Sequence, residues 1–183
     1  CITQEKEQPI WESILKDRSD IFIFMGDNVY GDDKITGKLN KLSKAYTKQK
    51  TKIPFAKLKE TNEIYAIWDD HDYGKNDGGA EYKYKKEAKN LFLDFWNISL
   101  NDPRRNRDGI YFETKKITKK GLLQIIFLDT RYFRSPLKRT DERGAPGKER
   151  YLPDNSPEKT FLGKEQWNWL SNKLDEDADI RII

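Results

Sequence analysis

Three short apolar runs in this chain each end on aspartate or run straight into one: DIFIFMG, EIYAIWD and LLQIIFLD, at residues 20–26, 63–69 and 122–129. Runs this short, rich in β-branched and aromatic residues and closed by glycine or charge, read as buried strands rather than helices. Helical patterns lie between and around them. PIWESIL (9–15) follows a proline suited to a first turn, residues 38–50 form a basic helix stopped near Pro54, and KEQWNWLSNKL (164–174) precedes a last strand, DIRII. EYKYKKEAKNLFLDFWN (81–97) sets Ala88, Leu91, Phe92 and Phe95 on one stripe. IYFETKKI (110–117) reads as a strand wetted on one face, and 135–160, with Pro136, Pro146, Pro153 and Pro157, as a long surface loop. Strands alternating with helices predict an α/β fold with a largely parallel central sheet. Open α/β sheets bind ligands beyond the carboxyl ends of their strands, where these aspartates stand.

Charged residues make up 36% of the 183-residue chain and aromatic residues 13%, with five Trp, so the surface is charged and the core large enough to offset chain entropy. The net charge of +4 permits anionic partners without requiring one. Nine lysines and no acidic residue fall between Lys34 and Lys59. That run is either a solvated helix face or a field that steers phosphate or nucleic acid. One cysteine forms no internal disulfide, and no apolar run approaches the length of a membrane span.

The strand ends hold the chemistry. In MGDNVYGD (25–32), Gly26 permits a sharp turn that presents Asp27, and Tyr30 could point back to the same place. Carboxylate and phenolate are hard donors suited to ferric iron or similar cations, whereas the bland alternative is a capped turn with Tyr30 packed. In WDDHDYGKNDGG (68–79) stands His71, the chain's single histidine. Asp69 and Asp70 point to opposite faces if the strand persists, so one of them is the candidate ligand. His71 could bind metal or act as a general acid, and crowded carboxylates favour a cation. Asn76 and Asp77 either close the site or shape the Gly78–Gly79 turn. In FLDTRYFR (127–134), Arg131 could hold a phosphate bidentately or pair with Asp129.

With Cys1 opening the chain, GDNVYGD, WDDHDYGKNDGG, LDTRYFR and FLGKEQWNWL occur in the order found in the PhoD-like (alkaline phosphatase D) branch of the calcineurin-type metallophosphoesterases, which the chain resembles along almost its whole length. The resemblance implies a four-layer α/β/β/α sandwich, of which these residues are the first sheet and its helices. It implies a binuclear centre of iron plus calcium or another divalent ion, with Cys1 and Tyr30 on the iron, Asp27 bridging and Asp70 on the second ion. His71 matches the histidine that faces the phosphate and protonates the leaving group; Arg131 and Asn76 are carried over as substrate-binding residues. Two cations about 3.5–4 Å apart clamp a phosphate and make hydroxide from bound water, so the implied reaction is hydrolysis of a phosphomonoester or phosphodiester. Nucleic acid enters only as a substrate, and the resemblance implies a periplasmic or secreted location.

In that family the second half of the sandwich adds metal-binding histidines. Residues 1–183 are therefore expected to be the N-terminal portion of one catalytic domain, cut at both ends, with an incomplete metal site, little activity alone and exposed sheet edges. Two rival readings are a polyanion-binding module that uses 34–59 and a domain that keeps the fold without the metals.

Overall fold

The computed structural model describes residues 2–17, 19–33 and 38–183. The chain divides into two compact units, the first running to Asn76 and resuming at Tyr84–Ile110, the second made of Asp77–Lys83 and Tyr111–Ile183.

In the first unit, α1 (Ile10–Lys16) leads to β1 (Ile21–Met25), followed by α2 (Asn40–Lys50), α3 (Ile53–Thr61), β2 (Glu63–Ile67), α4 (Asp70–Tyr73), α5 (Lys85–Phe95) and α6 (Pro103–Asn106). β1 and β2 pair in parallel from Ile21↔Glu63 to Met25↔Ile67, so both strands end at the same level. Parallel pairing requires a long crossover, which α2 and α3 provide. α2 buries Leu42, Ala45, Tyr46 and Gln49, the i, i+3, i+4, i+7 spacing of a single face, and leaves Lys41, Lys44, Lys48 and Lys50 exposed. The core is aromatic. Phe24 of β1 lies 5.8 Å from Trp11, 5.8 Å from Phe55 and 4.7 Å from Trp96 between ring centroids, and Trp68 meets Tyr73 and Phe92 at 5.0 and 5.4 Å. Tilted and edge-on pairs of this kind each add about 0.5–1.5 kcal/mol beyond area burial.

In the second unit, β3 (Phe112–Thr118) and β4 (Gly121–Phe127) form an antiparallel hairpin, α7 (Gly163–Leu174) follows, and β5 (Ile180–Ile182) pairs in parallel with β4. Phe112 and Phe127 are cross-strand partners, stacked at 4.3 Å. Ile126, Leu162 and Leu170 form a buried cluster that Leu128 and Trp169 cover. The buried Gln166 of α7 accepts from Asp129 N–H at 2.7 Å and donates to Asp129 C=O at 2.9 Å, fixing the end of β4 to the helix.

The α/β class is as expected, and the chain differs from its sequence reading in three places. Among the described residues the strands form two sheets, of two and three strands, rather than one. The basic helix ends at Lys50 as expected, and Pro54 sits in the first turn of the next helix, α3, where its missing N–H has no intrahelical partner to lose. On α5, Leu91 is half-buried while Lys89 and Leu93 are buried, because that helix is covered over a face wider than one stripe. The strand expected over 63–69 ends at Ile67, and Asp70 opens a helical turn. Among the described residues no helix is long and apolar enough to cross a membrane.

Candidate metal centre

The site assembles where β1 and β2 end together. Gly26 has φ +106°, a conformation side-chain-bearing residues rarely adopt, and a Cβ there would lie 2.6 Å from Asp69 Cβ. The two strand ends therefore touch through a glycine. Asp27 follows with φ 51°, left-handed backbone that Asp tolerates better than most residues at a cost on the order of 1 kcal/mol. Two successive positive-φ residues turn the chain back on itself and aim the Asp27 carboxylate at α4.

α4 is four residues long and rests on side-chain hydrogen bonds. Asp69 and Asp72 form a reciprocal capping box, and Gly74 ends the turn with φ 99°. Asp72 is fully buried. Its Oδ1 accepts from Asp69 N–H at 2.6 Å, and its Oδ2 accepts from Asn28 N–H at 3.1 Å and Asn28 Nδ2 at 2.5 Å. Burial pushes this carboxyl up to about 7, against the pull of the Asp69 and Asn28 amides. Asn28 also donates to Ile67 C=O at 2.9 Å. The Asn28–Asp72 pair thus ties the loop after β1 to the turn after β2.

On this frame, Asp27, Asp70 and His71 each offer one ligand atom, and the three atoms lie within 4.8 Å of one another. Asp70 is buried, whereas Asp27 and His71 are half-buried. Tyr30 O–H donates to Asp27 Oδ2 at 2.9 Å, and burial together with that carboxylate pushes the phenol up to about 12. Its ring lies against the His71 imidazole at 4.2 Å. His71 Nδ1 meets Asp32 Oδ1 at 2.5 Å. Burial works against the imidazolium, but the bond and charge of Asp32, with Asp70 and Asp27 behind it, hold the pKa above its ordinary value. The donor set suits a hard or borderline cation: two carboxylates, an imidazole and an adjacent phenol. Asp69, the other aspartate weighed as a ligand, caps α4 instead.

Three supporting residues escaped sequence reading. Gln4, buried, holds Tyr30 at two points, donating to its C=O and accepting from its N–H, each at 2.9 Å. Asp32 was legible only as one more acidic residue in GDD, and Asp72 only as part of DDHD. Nothing local marks a glutamine as a clamp for a residue 26 positions away. Cys1 lies outside the described residues. Asn76 is half-buried in the turn after α4. Arg131 belongs to the second unit, where the N–H groups of Arg131 and Tyr132 both donate to Asp129 Oδ1 at 2.9 Å, so Asp129 shapes the turn after β4.

Fold and site together define an α/β protein with a carboxylate–imidazole cluster at the C-terminal ends of two parallel strands. The family model for PhoD-like phosphatases matches residues 4–180, and the chain belongs to that family. A solved structure described as "Structure of PhoD" superposes with a TM-score of 0.65 at 17% identity, over 95% of this chain and 37% of that one. At that identity the likeness speaks for the fold, and the chain spans little more than a third of the solved protein. No curated protein sequence matches the chain.

Proposed function

We propose that the chain contributes the Asp27–Asp70–His71 half of a metal-dependent phosphate-ester hydrolase site. The supporting observation is the convergence of three ligand atoms within 4.8 Å at the ends of β1 and β2. Membership of the PhoD-like phosphatases supplies the reaction class. Asp27 and Asp70 would hold the cation or cations, with Tyr30 beside Asp27 and Cys1 as a further thiolate ligand. When bound, such ions supply Lewis-acid polarisation of the phosphoryl group and an activated water.

The chain's own groups do the rest. Asp32 engages Nδ1 of His71, which fixes the ring and leaves Nε2 to face the ester. With its pKa raised, the imidazole can hold a proton for the departing alkoxide. Tyr30, tilted against the ring at 4.2 Å, limits its rotation. Asn76 and Arg131 are proposed substrate contacts, and two ions, iron with calcium or another divalent cation, are the proposed complement. Both monoesters and diesters fit this chemistry.

The test pairs metal analysis of the purified full-length protein with hydrolysis of p-nitrophenyl phosphate and bis-p-nitrophenyl phosphate, for wild type and Asp27→Asn. Bound metal and turnover that both fall at least tenfold in the variant are the expected result. A wild-type protein that binds metal and hydrolyses neither ester would overturn the reaction. One that binds no metal would overturn the site.

A further inference from the structure

The segment between Ser135 and Thr160 belongs to the second unit and is closed at its neck: Ser135 N–H donates to Thr160 C=O at 2.8 Å, and Thr160 N–H to Ser135 Oγ at 3.0 Å. No residue from Pro136 to Lys159 is buried. A loop of this length ordinarily packs some of its own side chains, and this one lacks an apolar anchor. At its tip, Gly144 and Gly147 have positive φ and nothing within 4 Å of where a Cβ would stand.

Three donors of the strap converge on the Asp77 carboxylate. Asp77 Oδ2 accepts from Arg143 Nη2 at 2.9 Å, from Arg150 Nη2 at 2.7 Å and from Tyr151 O–H at 2.7 Å. The two guanidinium groups lie 5.2 and 5.9 Å from the centroid of the Tyr151 ring, so the three donors form one unit. Tyr151 is positioned by its bridge to Arg139, and Leu152 N–H donates to Lys138 C=O at 2.9 Å. Asp77 is a fixed post. Its backbone sits at φ 54°, and Arg134, itself buried, donates to Asp77 C=O at 2.6 Å and Gly78 C=O at 3.0 Å. The carboxylate side chain is 20% exposed while Arg143 and Arg150 are 39% and 59% exposed, so a solute reaches the cations more easily than the anion.

We propose that Arg143, Arg150 and Tyr151 form an oxyanion-binding cluster whose resident occupant is the Asp77 carboxylate, and that a phosphate-type oxyanion displaces it and frees the strap. Donors that converge on one oxygen are shaped for an oxyanion. A tetrahedral dianion offers more acceptor oxygens than a carboxylate and twice the charge, which suits the planar forks of two arginines. The incoming anion competes with a tethered group, whose effective concentration is of order millimolar, so the response midpoint falls in that range. Free phosphate and the phosphoryl group of an ester share this chemistry. The reading needs no turnover and no part of the Asp27–Asp70–His71 cluster.

The test is amide hydrogen exchange across residues 138–152 of the purified protein, titrated with inorganic phosphate and, separately, with phenylphosphonate, against sodium chloride at equal ionic strength. Expected is a saturable rise in exchange of at least fivefold with phosphate, none with chloride, and unchanged exchange in β3 and β4. A phenylphosphonate response that matches phosphate assigns the cluster to esters as well; a response to phosphate alone assigns it to the free anion. Asp77→Asn, which keeps a residue tolerant of left-handed backbone, should exchange at the phosphate-saturated rate without phosphate. Arg143→Gln/Arg150→Gln should be equally open and blind to phosphate, which gives a second route if Asp77→Asn fails to fold. Wild-type protection retained in these variants, or a chloride effect equal to that of phosphate, would overturn the proposal.

Discussion

Gly31 sits between Tyr30 and Asp32, and an added methyl there would meet the main chain of a neighbouring helix. The ideal Cβ lies 2.4 Å from Leu42 Cα, 2.8 Å from Leu42 Cδ1 and 3.0 Å from Leu42 Cβ. Contacts below 3.0 Å require movement, and the nearest atom is backbone of α2, which cannot rotate away. Leu42 is fully buried, and α2 is also held by Tyr46 O–H donating to Asp72 C=O at 3.2 Å. Gly31→Ala therefore forces the helix or the metal-site loop to shift. Overpacking typically costs 1–3 kcal/mol, and a backbone obstacle places this case near about 3 kcal/mol. For a chain of this size that lowers Tm by about 6–12 °C. The assay is thermal and urea unfolding of wild type, Gly31→Ala, Leu42→Ala and the double variant. Truncating Leu42 removes Cδ1 but leaves Cα and Cβ, so it should not rescue: the double variant should be at least as unstable as Gly31→Ala. A rescue of more than about 1 kcal/mol, or a Gly31→Ala Tm within 1–2 °C of wild type, would refute the backbone argument.

Other consequences are as direct. Gln4→Ala removes both hydrogen bonds to the Tyr30 backbone and should cost about 1–3 kcal/mol, with weaker metal binding in calorimetry because Tyr30 orients Asp27. Lys89 is buried with Nζ 2.6 Å from Arg107 C=O; Lys89→Met preserves the packing but strands that carbonyl, so urea midpoints should fall by the equivalent of about 1–3 kcal/mol at unchanged m-value. Asp77 lies below the ordinary 3.8 despite burial, through Tyr151, Arg150 and Arg143. A depressed carboxylate contributes while ionised, so its hold on the strap is complete above the unfolded-state value and fades as pH falls through the lower folded value. Carboxyl NMR of Asp77 should therefore show a midpoint below 3.8 that moves upward in Arg143→Gln/Arg150→Gln; an unmoved midpoint would count against the latch.

The strands were legible as continuous apolar runs, and all three became strands, although burial is less complete than such runs suggest: only Phe24 in β1 and Ala66 in β2 are buried. Their partnership was not. β3 and β4 are joined by Lys119 and Lys120, which are not among the residues favoured in two-residue hairpin turns, and the turn relies on Gly121 at φ +112°. That hairpin puts β4 in antiparallel company, in a sheet without β1 and β2. Pro54 marked the end of the basic helix correctly, but the proline alone did not show that a second helix, α3, starts around it.

At the site, the residues that sequence could name were those whose chemistry is unusual in itself: an aspartate after glycine at a strand end, a lone histidine among carboxylates. Asp27, Asp70 and His71 come together in space, and the reason lies in residues with no such mark. Asn28 and Asp72 share hydrogen bonds across 44 positions, Asp32 meets His71 across 39, and Gln4 clamps Tyr30 across 26. Each is a partner selected by tertiary distance, which no local pattern encodes. WDDHDYG makes the point within seven residues. Its three aspartates look equivalent in sequence, yet Asp69 caps a helical turn, Asp70 faces the cluster and Asp72 ties two loops together in the interior. The start of α4 at Asp70 decides this, because helical rotation from there on sends successive side chains about 100° apart rather than to opposite faces.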